Sequence, residues 1–138
     1  MTRYVVDGMN VIGARPDGWW RDRTAAMERL AGALDAWANE TGDDVTVVFD
    51  GKERPIPAER ADVRFATRRG PNAADDDIAA LVAADADPTS LVVVTSDATL
   101  ADRVAAAGGR AVGAGDFRRR LDAIAGQERG GGGRSSQP

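Results

Sequence analysis

The sequence predicts an α/β fold, a three-layer α/β/α sandwich on a mostly parallel sheet. Short apolar runs alternate with stretches of helical periodicity along the chain. Two of those runs, Val45 to Phe49 and Leu91 to Val94, are nearly unbroken and rich in valine, the pattern of strands covered on both faces. The spacing leaves room for a helix between strands, which implies right-handed crossovers and parallel neighbours.

Tyr4, Val5 and Val6 form the first strand. Met27, Leu30, Leu34 and Trp37 recur at spacings of three and four and predict a helix with an apolar face that includes Trp37, ending before Gly42. Val45, Val47, Val48 and Phe49 make the second strand, and Val63 to Thr67 an additional one. Ala73-Ala74-Asp75-Asp76-Asp77-Ile78 opens a helix that continues through Leu81 and Val82. The Leu91 to Val94 strand precedes a helix with Leu100, Val104 and Ala107, stopped by Gly108 and Gly109. Arg110 to Val112 is a last short strand. The final helix carries Phe117, Leu121 and Ile124 on one face, with Asp116 placed to cap it. The pattern stops at Gly126, so one domain is expected over 1–126, followed by a disordered Gly-rich tail over 127–138.

A chain of 138 residues suffices for one such domain and buries about two thirds of its unfolded surface. Cysteine and histidine are both absent. Their absence excludes disulfide scaffolds, thiolate nucleophiles, Ser-His-Asp triads and the common zinc ligand sets. Chemistry must therefore run on carboxylates, hydroxyls, amides, arginines and the one lysine, Lys52. No apolar run approaches the roughly 20 residues of a membrane span, and no signal segment opens the chain, so a cytoplasmic protein without a membrane partner is expected. The net charge of −4 conceals a basic segment, with Lys52, Arg54, Arg60, Arg64, Arg68 and Arg69 set against Glu53, Glu59 and Asp62.

The acids fall in a pattern. Asp7 follows the first strand, Asp50 the second, and Ser96-Asp97 the Leu91 to Val94 strand, while Asp75 begins a helix that leaves the same edge. In a parallel sheet the C-terminal strand ends share the edge where ligands bind. Capping and the helix dipole account for any one acid at a helix start, but not for an acid on several strand ends. Clustered carboxylates without histidine or cysteine suit a hard divalent cation such as Mg²⁺ or Mn²⁺, and such a site supports attack of water on a phosphodiester. Asn10 can hold a phosphate, a water or a carboxylate without adding charge, or simply serve a turn between Gly8 and Gly13, glycines that let backbone approach a phosphate or the next helix. No GxxxxGK[ST] or GxGxxG is present, and Asp7-Gly8-Met9 lacks the second acid of a DxD phosphatase motif.

VVDGMNVIG, VVFDG, AADDDIAALV and VVVTSDATLADRVAAAGGRAV, in this order, resemble the NYN domain family, with the closest likeness to the YacP-like ribonucleases, relatives of the PIN nucleases. The likeness spans roughly residues 3 to 125. It implies a PIN-like, Rossmann-like sandwich, a divalent metal and endonucleolytic hydrolysis of single-stranded or ribosome-associated RNA. By position, Asp7, Asn10, Asp75 and Asp97 match the family's site, with Asp50, Asp76 and Asp102 as further candidate ligands. Met9 stands where the family has tyrosine or a similar residue before the asparagine. Lys52, Arg54, Arg64, Arg68, Arg69 and Ser96 are candidate RNA contacts, and Trp19 and Trp20 either stack a base or cover a core edge. The alternative is a non-catalytic RNA-binding or RNA-processing module of the same fold.

Overall fold

The computed structural model describes residues 1–70 and 72–124; the expected tail at 127–138 lies outside the described residues. In chain order the elements are β1 (Arg3–Asp7), α1 (Gly8–Gly13), α2 (Arg23–Thr41), β2 (Asp44–Phe49), β3 (Asp62–Phe65), α3 (Ala73–Ala84), β4 (Leu91–Val94), α4 (Ala98–Ala106), β5 (Arg110–Val112) and α5 over 114–124. Short 3-10 turns, Trp19–Arg21 and Pro88–Ser90, precede α2 and β4.

The five described strands lie in the order β3-β2-β1-β4-β5, and every neighbouring pair is parallel. The chain starts at the centre, builds outward through β2 and β3, then returns to the other side of β1 for β4 and β5. Strand order thus reverses between β1 and β4, which opens a crevice beyond their C-terminal ends. Asp7 closes β1 on one side of it, and Thr95 to Asp97 follow β4 on the other.

Alternation along the strands sends side chains to two layers. Tyr4, Val6, Val47, Phe49 and Val94 pack with Val11 of α1, with Met27, Leu34 and Trp37 of α2, and with Phe117 and Leu121 of α5. Val5, Val48 and Val93 pack on the other face with Ile78, Val82, Leu100 and Val104 of α3 and α4. The three-layer sandwich predicted from the apolar runs is the one observed. Trp37 is buried as expected: its ring lies 4.7 Å from Phe117 and 5.7 Å from Tyr4, and its Nε1–H donates to Asp43 at 3.1 Å.

Local signals explain the long helix. Asp22 caps α2 by accepting from the Ala25 amide at 3.0 Å, and Gly42 ends it at φ 75°. Two expectations need correction. Gly8 to Gly13 is a short helix, not a turn, because the chain must reverse over the sheet directly after Asp7. Asp116 lies inside α5 and pairs with Arg119; the helix begins at residue 114, where the Ala114 amide donates to Ser96 Oγ at 2.9 Å.

Gly8 is what lets α1 sit so close. A Cβ there would lie 2.4 Å and 2.6 Å from two ring carbons of Phe49 and 3.0 Å from Val47 Cγ2, and both neighbours are fully buried. The close approach this glycine allows is to the core. Gly8→Ala is expected to destabilise the fold by about 1–3 kcal/mol, measured by urea unfolding, whereas Gly32→Ala, which meets nothing within 4 Å, should be neutral or stabilising.

Candidate active site

The site grows from Asp7. It ends the central strand and is 4% exposed, with Oδ2 accepting a 2.9 Å hydrogen bond from Thr95 Oγ1. Thr95 Oγ1 in turn accepts from the Asp97 amide at 3.1 Å, which directs the hydroxyl proton toward Asp7. A single threonine therefore ties the two sides of the crevice together. Burial pushes the Asp7 carboxyl up to about 7; the Thr95 hydrogen bond opposes that shift, and the charges of Asp75, Asp50 and Asp97 reinforce it.

Asp75 lies in the first turn of α3 and is half-buried. Its carboxyl is also pushed up, first by burial and then by Asp97 and Asp50, with Arg103 acting against them. Carboxylates from four separate segments thus interact at one edge, as their positions after strand ends and at a helix start led us to expect. Asp50 Oδ1 also accepts from the Ala74 amide at 3.0 Å, which pins the start of α3 to the end of β2. Asp97 caps α4 by accepting from the Leu100 amide at 3.1 Å.

Asn10 projects from α1, and its Oδ1 accepts from the Ser96 amide at 2.8 Å. Because the Ser96 hydroxyl accepts from Ala114, one chain of bonds runs from α1 through the β4–α4 loop to α5. Asp76 points elsewhere: it pairs with Arg68 and, at 2.8 Å, with Arg103, and these cations lower its pKa. Asp77 accepts from the Thr67 amide and hydroxyl at 2.6 and 2.9 Å. Of the three consecutive aspartates, Asp75 is the one coupled to the acids across the crevice. Asp102 is exposed on α4.

The basic candidates separate as well. Arg54 donates to Thr24 Oγ1 at 2.9 Å and to the Lys52 carbonyl, Arg64 pairs with Asp62, and Arg68 with Asp76. Lys52 and Arg69 are exposed. Two residues escaped the sequence reading, Thr95 and Arg103. A hydroxyl directly before Ser96-Asp97 was a signal for the first, whereas nothing local marks an arginine six residues into a helix as a neighbour of Asp75.

Among the described residues, no three carboxylates converge into a closed metal cage. The donor chemistry nevertheless fits a hydrated Mg²⁺ or Mn²⁺, which needs only one or two direct carboxylates and keeps its remaining waters. Mutually repelling, partly buried carboxylates are what such an ion relieves.

Residues 4–135 match the family model of the YacP-like NYN domain. Two solved structures are similar to this chain: Rae1 (YacP) from Bacillus subtilis, at 27% identity, and its W164L mutant, at 28%, each with a TM-score of 0.77. Both alignments cover 94% of this chain, and 78% and 80% of those chains respectively. No curated protein sequence matches.

The raised Asp7 carboxyl has a consequence for stability. Folding lifts it from 3.8 to about 7, so between those values the folded state binds the extra proton. Stability therefore falls as pH rises through that window. In EDTA at pH 8, Asp7→Asn is expected to be more stable than wild type, by on the order of 1–3 kcal/mol, with the difference closing toward pH 4. Thermal unfolding across this range checks the sign, and a variant less stable at pH 8 would contradict it.

Proposed function

This chain belongs to the YacP-like NYN domain family, whose fold is nuclease-like, and we propose that it is a divalent-metal-dependent endoribonuclease. The observation that carries this reading is the coupling of carboxylates from four chain segments at the crevice where strand order reverses. Asp7, Asp75 and Asp97 would hold a hydrated Mg²⁺ or Mn²⁺, with Asp50 beside them. When bound, the ion supplies activation of water and neutralises charge on the leaving oxygen of a phosphodiester.

The rest falls to the protein's own groups. Thr95 fixes the Asp7 carboxylate, and Asn10 locks α1 to the loop that carries Asp97, so the acids are held in place before substrate arrives. Lys52 and Arg69, with Arg68 and Arg103 nearby, offer phosphate contacts that carry no sequence preference. The substrate is single-stranded or ribosome-associated RNA, met in the cytoplasm. The catalytic unit is the domain over 1–126. Among the described residues no helix is long and apolar enough to cross a membrane.

A second reading, an RNA-binding module that does not cut, has one observation in its favour: Asp50 and Asp97 both have structural bonds, and the described acids form no closed cage. RNA binding that persists in EDTA, with no cleavage under any divalent ion, would select it.

Asp75→Asn and Asp97→Asn are each expected to reduce Mn²⁺-dependent RNA cleavage at least about 100-fold. Asn remains a good cap at position 97, so folding should survive there. The assay compares purified proteins on structured and unstructured RNA, and cleavage undiminished in both variants would remove the assignment. Mn²⁺ is also expected to raise the melting temperature of wild type and to leave that of Asp75→Asn largely unchanged.

A further inference from the structure

A groove of about 780 Å³ lies away from the acids, between α1, α2 and α5. Ile12 and Leu30 contribute apolar walls, and Arg15, Arg29 and Arg118 line it together with Trp19 and the two acids Asp17 and Asp122, which leaves an excess of positive charge. These arginines are only partly neutralised. Arg15 pairs with Asp122, while Arg118 lies 3.8 Å from Asp122 and 3.9 Å from Asp17, beyond hydrogen-bond range. Arg29 makes no ion pair or side-chain hydrogen bond among the described residues. Arg118 is fixed by donating to the Val11 carbonyl at 2.9 Å, and burial followed by the charges of Arg15 and Arg29 lowers its pKa. Cations crowded in this way are relieved by an anion placed between them.

Beside the groove, Trp20 is 55% exposed. Its ring meets Trp19 edge to face at 6.0 Å, with Arg21 over Trp20 at 6.0 Å and Arg23 over Trp19 at 5.6 Å. A half-exposed indole with one guanidinium over its ring, next to an arginine-lined groove, has the composition of a single-strand platform, on which bases stack and arginines hold phosphates. The groove is joined to the acid edge through the chain itself. α1 begins at the residue after Asp7, supplies Ile12 to the groove, and leads directly into Arg15.

We propose that this groove holds the single-stranded segment of RNA flanking the cleavage point, with phosphates on Arg15, Arg29 and Arg118 and an unpaired base on Trp20. The inference rests on the reading of the acid edge as an RNA site and adds the path the strand takes away from it. An acidic peptide would satisfy the arginines but has no use for the exposed indole. A purely apolar partner would leave three guanidiniums buried against it.

The test measures binding of a fluorescent oligouridylate of about 20 nucleotides to the full chain carrying Asp97→Asn, in EDTA, so that cleavage plays no part. Arg29→Glu and Trp20→Ala, both at exposed positions, are each expected to weaken binding about 5- to 50-fold. Arg110→Glu, the same charge change on β5, serves as the control and is expected to stay within about twofold. Unfolding midpoints confirm that each variant is folded. If the parent binds the oligonucleotide and both groove variants bind equally well, the groove proposal is overturned while the RNA reading stands. If the parent binds no RNA, both fall. Polyglutamate binding that is lost in Arg29→Glu but kept in Trp20→Ala would assign the groove to an acidic protein and overturn the proposal.

Discussion

Burying an aspartate at the end of the central strand is unfavourable for its ionised form unless a partner, a proton or a cation compensates. Among the described residues Asp7 has one hydrogen-bonded partner, the Thr95 hydroxyl, and faces three other carboxylates. The segments around it are organised about that unmet requirement. The parallel order brings β1 and β4 together at the point of reversal, α3 delivers Asp75 to the same edge, and Asp50 anchors that helix while adding its own charge. A divalent cation would resolve the conflict more completely than a proton, since one ion can interact with several acids at once.

The bonds that fix the site are the ones that fix the fold. Asp97 caps α4 and faces the crevice, Ser96 starts α5, and Asn10 joins α1 to the loop bearing both. Movement of any one of these segments would displace a candidate ligand, so the acids are rigidly presented and need little reorganisation on binding a cation. The same α1 connects this edge to the arginine-lined groove, and Gly8 allows it to lie against Phe49. The candidate acids and the arginines of the groove are thus linked through one short helix.

Much of this was legible in the order of residues because strand direction alone decides where strand ends go. Val47-Val48-Phe49-Asp50 and Val92-Val93-Val94 followed by Ser96-Asp97 announce buried parallel strands with polar ends, and the crevice follows from topology. What could not be read depends on contacts remote in sequence. Arg103 reaches Asp76 across two helices, and the Ser96 hydroxyl starts a helix eighteen residues later, a role that local spacing assigns to Asp116. α1 was hidden because a six-residue helix bounded by glycines has no apolar period long enough to stand out. The choice of Asp75 over Asp76 and Asp77 likewise needed the partners of the other two, Arg68, Arg103 and Thr67.

Asp7 is the ionisable group held most closely against other acids, and a bound cation would release that repulsion. Carbon-detected NMR titration of the Asp7 side-chain carboxyl, in EDTA and then in Mg²⁺, addresses this directly. The expected midpoint is near 7 without metal, set by burial and by Asp75, Asp50 and Asp97, with a clear downward displacement when Mg²⁺ is added. A midpoint close to that of an ordinary aspartate in EDTA, or one that Mg²⁺ leaves unmoved, would contradict it.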